Sequence, residues 1–237
     1  MSNSWRKQFN TRGIILARTD YAEADRILTF LTPGRGKLKA IAKGVRKSKS
    51  KLAGGIELFC VSDLTVIIGR REIGTLISTR LFKNYSNIVK DLDRTGTGYE
   101  LIRMINKSTE DGSEETYFNL LNSAFMALDD TELDPQVTSL WFGMQLLKLA
   151  GHAPNLHTDS HGTKLKPSGT YDFHMDRMQF TPEPAQQGAY NANHIKFMRL
   201  GFAAAKPQII HRVNDAIGLA AACAPIIRTM LRTHVRI

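Results

Sequence analysis

Apolar and polar residues alternate over the first third of the chain, then recur at three- and four-residue spacing. Gly13 to Ala17 is apolar, and Arg26 to Leu31 carries the β-formers Ile27, Thr29 and Phe30. Pro33-Gly34-Arg35-Gly36 follows as a turn signal. From Lys37, side chains of an extended strand fall alternately on two faces: Leu38, Ala40, Ala42 and Gly44 on one, Lys37, Lys39, Ile41, Lys43 and Val45 on the other. That pattern predicts three lysines on one side of a strand. Leu58 to Ile68 and Gly74 to Phe82 predict a further strand pair, joined by a hairpin turn at Gly69-Arg70-Arg71-Glu72 whose arginines add positive charge. Five short strands with glycine-rich connections imply a small closed antiparallel barrel, because closure removes exposed edges. Phe30 and Phe59 are expected in its core, with Tyr21 and Phe82 as further candidates for stacking on bases.

After Phe82 the period becomes helical, which places a domain boundary near residues 80 to 88. Tyr99, Ile102, Ile105 and Asn106 mark one helix, and Tyr117, Leu120, Leu121, Ala124, Phe125 and Leu128 a second, with Asp111-Gly112-Ser113 between them. Asp134-Pro135 opens a third, running through Trp141 as a core residue and ending at Gly151. Two helical segments close the chain, about Ala192 to Ala205 and Gln208 to Val235, with Pro225 expected to kink or split the latter.

Between the third helix and these two segments, residues 152 to 190 lose long apolar periodicity and read as an irregular insert, with a short hairpin at Tyr171 to Phe180 as the alternative. His152, His157, His161, His174 and His194 accompany Asp159, Asp172 and Asp176, yet His157-x-Asp159-x-His161 is a weak metal-ligand pattern. No metal is expected. Cys60 and Cys223 each sit among apolar residues and read as buried thiols, too few for a disulfide framework or a thiolate zinc site.

Charge sharpens the picture. Of 32 Lys and Arg and 22 Asp and Glu, residues 1–80 hold 16 basic and 6 acidic, so the whole net charge of +10 lies there. Arg35, Lys37, Lys39, Lys43, Arg46, Lys47, Lys49 and Lys51 form a run with no acidic residue, and the segment Arg46 to Gly55 reads as an exposed loop. A polyanion fits such a run. Anionic lipid fits less well, since a membrane-surface segment needs an amphipathic helix with bulky apolar residues on one side. With 42% hydrophobic residues the chain is globular, no apolar run reaches the roughly 18 residues a membrane span needs, and Met1 to Asn10 lacks the apolar core of an export signal, so a cytoplasmic, nucleoid-associated protein is expected. P-loop, dinucleotide-binding, nucleophile-elbow and His-Glu-x-x-His patterns are all missing from the sequence. Asp129-Asp130 and Glu114-Glu115 are adjacent carboxylates of the kind that cap helix ends, so the chain is not expected to be an enzyme, and no cofactor is expected.

Two runs of residues carry a family resemblance. Gly13-Ile14-Ile15-Leu16-Ala17-Arg18-Thr19-Asp20-Tyr21-Ala22-Glu23-Ala24-Asp25-Arg26-Ile27-Leu28-Thr29-Phe30-Leu31-Thr32 and Gly36-Lys37-Leu38-Lys39-Ala40-Ile41-Ala42-Lys43-Gly44-Val45-Arg46-Lys47-Ser48-Lys49-Ser50 resemble the N-terminus of the bacterial RecO recombination mediators, strongly over residues 13–83 and more loosely to about 150. The resemblance implies an α+β protein: an N-terminal five-stranded OB-fold barrel (residues 1–83), then an all-helical C-terminal domain (84–237) with the irregular insert. It implies binding of single- and double-stranded DNA, annealing of complementary strands, and loading of recombinase onto protein-coated single strands in recombinational repair, without nucleotide hydrolysis. The implied partners are a RecR-type mediator protein and the C-terminal tail of single-stranded-DNA-binding protein. By position, Arg35, Lys37, Lys39, Lys43, Arg46, Lys47, Lys49 and Lys51 fall on the DNA-binding surface. Lys196, Arg199, Arg212 and Arg228 are the candidates for the tail-binding pocket. Gly151-His152-Ala153-Pro154-Asn155-Leu156 resembles the turn before the family's zinc-binding segment, but the four cysteines that often hold zinc there are missing, leaving the insert zinc-less. The residues by themselves leave three other readings open: an RNA-binding or ribosome-associated protein, a protein–protein adaptor whose positive third meets an acidic partner, and, behind these, a metal-dependent nuclease.

Overall fold

The computed structural model describes residues 7–69, 73–109, 115–183, 188–235 and 237. Five strands come first: β1 (Lys7–Tyr21), β2 (Asp25–Thr32), β3 (Gly36–Ala42), β4 (Cys60–Ile68) and β5 (Gly74–Asn84). Their order, β1-β2-β3-β5-β4, closes on itself in an OB-like barrel. β1 is long enough to pair with β2 through its second half and with β4 through its first. The last seam is narrow, a parallel pairing of β3 with β5 at Ala40↔Gly74 and Ile41↔Thr75. The expected turn residues Arg70, Arg71 and Glu72 lie outside the described residues, as do Asp111, Gly112 and Ser113.

Alternation along β3 reads as predicted up to Ala42: Leu38, Ala40 and Ala42 are buried, Lys39 is exposed and Lys37 half-buried. They join Leu28, Phe30 and Leu64 in the barrel core. Val45 departs from the pattern. It was expected beside the lysines but is buried in the core, because Gly44 takes a left-handed conformation (φ 61°) that glycine adopts without a Cβ penalty, and the chain reverses there.

Two helices, α1 (Leu92–Ser108) and α2 (Glu115–Asp129), belong to the same compact unit as the barrel, which spans Met1–Asp129; the second unit is Asp130–Ile237. The change from strand to helix follows β5, and packing divides the chain further on. Phe59, just before β4, links barrel and helices. Its buried ring meets Tyr99 of α1 and Phe125 of α2 edge-on, with centroids 5.3 and 5.5 Å away.

In the second unit, α3 (Pro135–Leu149) starts as its sequence predicts, Asp134 accepting the backbone N–H groups of Gln136 and Val137 and Pro135 sitting in the first turn. Trp141 is buried and donates to the Ala204 carbonyl. The segment expected to be an irregular insert carries four short strands, β6 (Asn155–Asp159), β7 (Thr170–His174), β8 (Gln179–Pro182) and β9 (Tyr190–Asn191), in the order β6-β8-β7-β9. The hairpin anticipated at Tyr171–Phe180 is its centre, β7 against β8. Its strands are too short to leave a long period in the sequence. Phe180 is fully buried and packs edge-on against Tyr171, Phe173 and Tyr190.

α4 (Ala192–Ala203) begins at a capping box between Asn191 and His194. α5 (Gln208–His211) is a single turn, and α6 (Ala216–His234) closes the chain. Pro225 does not split the last helix, which continues on both sides of it. The break comes earlier, at Asp215, whose backbone is left-handed and whose carboxylate caps Gly218. By length and composition α6 is apolar enough to cross a bilayer, but its buried side packs on α3, the position of a core helix.

Candidate nucleic-acid interface

The eight cations of the run occupy β3, its flanking turns and the segment leading to β4. Arg35 is exposed beside Phe9, its guanidinium carbon 4.1 Å from the ring centroid. Lys37 is half-buried and donates to the Asn106 carbonyl at 2.8 Å, in the last turn of α1, where a cation meets the negative end of the helix. Lys39 projects outward one pleat further on. Lys43, Arg46, Lys47, Lys49 and Lys51 are exposed on the segment after β3.

That segment is not a slack loop. The Gly44 N–H donates to the Asp25 carboxylate at 2.7 Å and the Arg46 N–H to the Ala24 carbonyl at 3.0 Å, fastening its start to the β1–β2 turn. It then winds through successive tight turns, Lys47 N–H to Gly44 carbonyl at 3.1 Å and Ser50 N–H to Lys47 carbonyl at 3.0 Å. Val45 and Ile56 plug into the barrel core with Leu52 packed against it, so the residues between them are pushed to the outside. Apolar anchors thus alternate with outward cations.

Arg46 differs from the lysines. It lies 3.6 Å from Asp20, which also accepts from Arg26 at 2.8 Å. The hydrogen bond from Arg26, with the charge of Arg46, holds the Asp20 carboxyl below its ordinary range. Among the described residues no carboxylate pairs with Lys39, Lys43, Lys47, Lys49 or Lys51. Such a surface attracts phosphate without reading bases.

The four candidate partner-binding cations separate. Lys196 of α4 and the exposed Arg212 line one cavity of about 540 Å³ with apolar walls at Phe197, Leu200 and Leu219, and Asp215, whose carboxylate caps Gly218, lines it too, so two cations face one carboxylate there. Arg199 turns away and donates to the Leu156 carbonyl at 2.6 Å. Arg228 is exposed on α6 and does not line the cavity.

A zinc ion does not suit the residues of the insert. It has no thiolate, and the chain's two cysteines are buried elsewhere, Cys60 in the barrel and Cys223 in α6, each with its thiol pushed up by burial. Among the described residues no three His, Cys, Asp or Glu side chains converge. Asp159, the centre of the weak His-x-Asp-x-His pattern, is buried and accepts the N–H groups of His161 and Thr163 at 2.8 and 3.0 Å, so it shapes a turn.

Sequence reasoning missed a charged row across β1, β4 and β5. Arg12, Asp63 and Arg80 stand opposite one another in the register, with Arg12 Nε 3.3 Å and Arg80 Nη2 3.0 Å from the Asp63 carboxylate. The hydrogen bond from Arg80, then that from Arg12, holds the Asp63 carboxyl below its ordinary range. These residues are 51 and 17 positions apart in sequence, so no local pattern marks them.

Comparison with known proteins agrees with this architecture. A family model described as "Recombination protein O N terminal" matches residues 5–85, the barrel, and "Recombination protein O C terminal" matches residues 89–194. The chain is 35% identical over 149 residues to the DNA repair protein RecO of a Dehalococcoides mccartyi strain, covering 62% of this chain and 58% of that one. It is 34% identical to the RecO of Moorella thermoacetica, over 62% of this chain and 55% of that one. With the RecO of Listeria welshimeri it shares 29% identity over 68% of this chain and 62% of that one. The matched part spans less than two thirds of the length of these relatives. The chain belongs to the RecO family.

Proposed function

We propose that this protein is a DNA-binding recombination mediator that anneals complementary strands and helps place recombinase on protein-coated single-stranded DNA, without catalysing a covalent step. The observation that carries this reading is the set of five lysines exposed and without a carboxylate partner among the described residues: Lys39 on β3, Lys43 just after it, and Lys47, Lys49 and Lys51 on the segment pinned by Val45 and Ile56. Annealing requires that the repulsion between two phosphate backbones be neutralised while base edges stay free. Cations that hold the backbone alone meet both conditions. Arg35, Lys37 and Arg46 complete the positive field, Lys37 and Arg46 in a fixed position because each is tied to the fold.

In the second unit, the cavity with Lys196 and Arg212 above Phe197 and Leu200 suits an acidic, apolar peptide end such as the tail of single-stranded-DNA-binding protein. A RecR-type protein is the second partner under this reading. The test is annealing of complementary oligonucleotides precoated with that single-stranded-DNA-binding protein. The parent protein accelerates annealing, and Lys43→Ala/Arg46→Ala/Lys47→Ala/Lys49→Ala abolishes the acceleration with its thermal melt nearly unchanged. Undiminished annealing by the quadruple variant overturns the proposal.

A further inference from the structure

The row Arg12–Asp63–Arg80 forms the floor of a second polar surface on the barrel, built on β1, β4 and β5 and separate from the lysine segment. It lines a groove of about 560 Å³ together with Asn10, Thr11, Thr65 and Ser78. Two guanidinium groups share one carboxylate here, so the row keeps a positive charge in excess. Asp63 fixes both: it is the anchor that aims them, and the Arg80 side chain remains 84% exposed. Ser78 and Arg80 alternate along β5, and Phe82 follows at a bulge, unpaired between Leu81 opposite Ser62 and Lys83 opposite Val61. The Phe82 ring is 53% exposed, and the Arg12 guanidinium lies against it with its central carbon 3.6 Å from the ring centroid. A guanidinium that backs an aromatic ring in this way fixes the ring's orientation through cation–π attraction. Among the described residues Phe82 is not part of the barrel core cluster, and about half of its surface stays open to solvent.

We propose that this face is a second track for single-stranded DNA, on which Arg12 and Arg80 contact phosphate and Phe82 stacks on an unpaired base. The proposal rests on the DNA-handling reading above and extends it. A ring beside two cations, with amide and hydroxyl groups along the groove, has the make-up of a single-strand platform, where stacking tolerates any base and charge follows the backbone. A membrane surface would call for a broad apolar stripe, whereas this groove sets the charges of Arg12, Asp63 and Arg80 and the amide and hydroxyl groups of Asn10, Thr11, Thr65 and Ser78 around Leu64. A duplex would hide the base face that the ring needs. With one strand on the lysine segment and a second on this face, the barrel holds two strands at once, the condition for bringing complements together.

The experiment compares fluorescence anisotropy of a labelled 20-nucleotide oligothymidylate with that of an abasic oligodeoxynucleotide of about the same length, using the full chain. The parent binds oligothymidylate about tenfold more tightly than the abasic strand, the scale of one stacked base. Phe82→Leu, which keeps an apolar side chain but removes the ring, brings the two probes to near parity and leaves affinity for the abasic strand unchanged. Arg80→Gln, with Arg12 left to hold Asp63, lowers the salt dependence by about 0.7 in the log–log slope on both probes. The loop variant Lys43→Ala/Arg46→Ala/Lys47→Ala/Lys49→Ala binds more weakly but keeps its preference for oligothymidylate. An unchanged probe ratio in Phe82→Leu overturns this inference while leaving the function above intact. Failure of the parent to bind either probe overturns both. Competition by an acidic peptide that depends on Phe82, with no effect of Phe82→Leu on oligonucleotides, gives the face to a protein partner and also overturns it.

Discussion

Salt dependence measures the lysine segment directly. Lys43, Lys47 and Lys49 are exposed and lack a carboxylate partner among the described residues, whereas Arg46 spends part of its charge on Asp20. Each phosphate neutralised on a single strand contributes about 0.7 to the slope of log affinity against log salt, so replacing the three lysines with alanine should flatten the slope by about 2.1. Between 50 and 200 mM salt the parent then loses about 18-fold more affinity than the variant. Folding should hardly change, because exposed substitutions away from packed or paired groups shift stability by about 0.5 kcal/mol or less. Val45, Leu52 and Ile56, which fix the segment, are untouched. The assay is anisotropy of a labelled single strand over a salt series, with a denaturant melt as the folding control. A slope identical to the parent's, whatever happens to affinity at one salt concentration, would refute phosphate contact by these lysines.

Two further outcomes concern stability. Phe180→Ala removes the ring at the centre of the β6–β9 sheet, where Tyr171, Phe173 and Tyr190 pack against it. A loss of about 3–5 kcal/mol is expected in urea melts, as for other large aromatic truncations, together with indifference of the parent to a metal chelator; a loss under about 1 kcal/mol contradicts the packing argument. Asp63 gives a pH signature. Its carboxyl is held below the ordinary value near 3.8 by Arg80 and Arg12, so the folded state binds fewer protons than the unfolded one in that range. The stability this contributes is present above pH 3.8 and disappears as pH falls through the lowered value, so Asp63→Asn should be less stable than the parent at neutral pH and converge with it in acid. Melts at a series of pH values that show a constant gap between the two proteins would dispose of this account.

What the sequence discloses and what it hides follow the distance between the interacting residues. Strand alternation along Lys37–Ala42, the turn at Pro33–Gly36 and the start of α3 at Asp134-Pro135 depend on neighbours within a few positions, and all are legible. Val45 is misread because a single backbone angle at Gly44 reverses the chain, and alternation contains no information about where a glycine will use its left-handed freedom. The end of the last helical break is misplaced for a related reason: proline at 225 is a visible breaker, while the left-handed Asp215 that makes the break is an ordinary residue. The β6–β9 sheet has strands of two to five residues, shorter than any period can register. Long-range register hides the Arg12–Asp63–Arg80 row altogether.

The same distinction applies to the candidate interface. The charge run announces a polyanion, but a run of cations on a slack chain would lose conformational entropy each time it settled on a backbone. Here that loss has already been met in folding. Asp25 holds Gly44, the Ala24 carbonyl holds the Arg46 N–H, and Val45 and Ile56 are buried on either side of Lys47, Lys49 and Lys51. The lysine stems remain free to adjust while their backbone does not, an arrangement suited to a partner whose phosphates are regularly spaced and whose bases must stay accessible. It follows that Val45→Ser, which touches no phosphate, should weaken strand binding through loss of this anchoring, and should do so with little change in salt slope. A slope reduced as far as in the triple lysine variant would refute this, showing that the anchor's loss removes the phosphate contacts themselves and that the anchor places the lysines rather than lowering the entropic cost of contacts they make anyway.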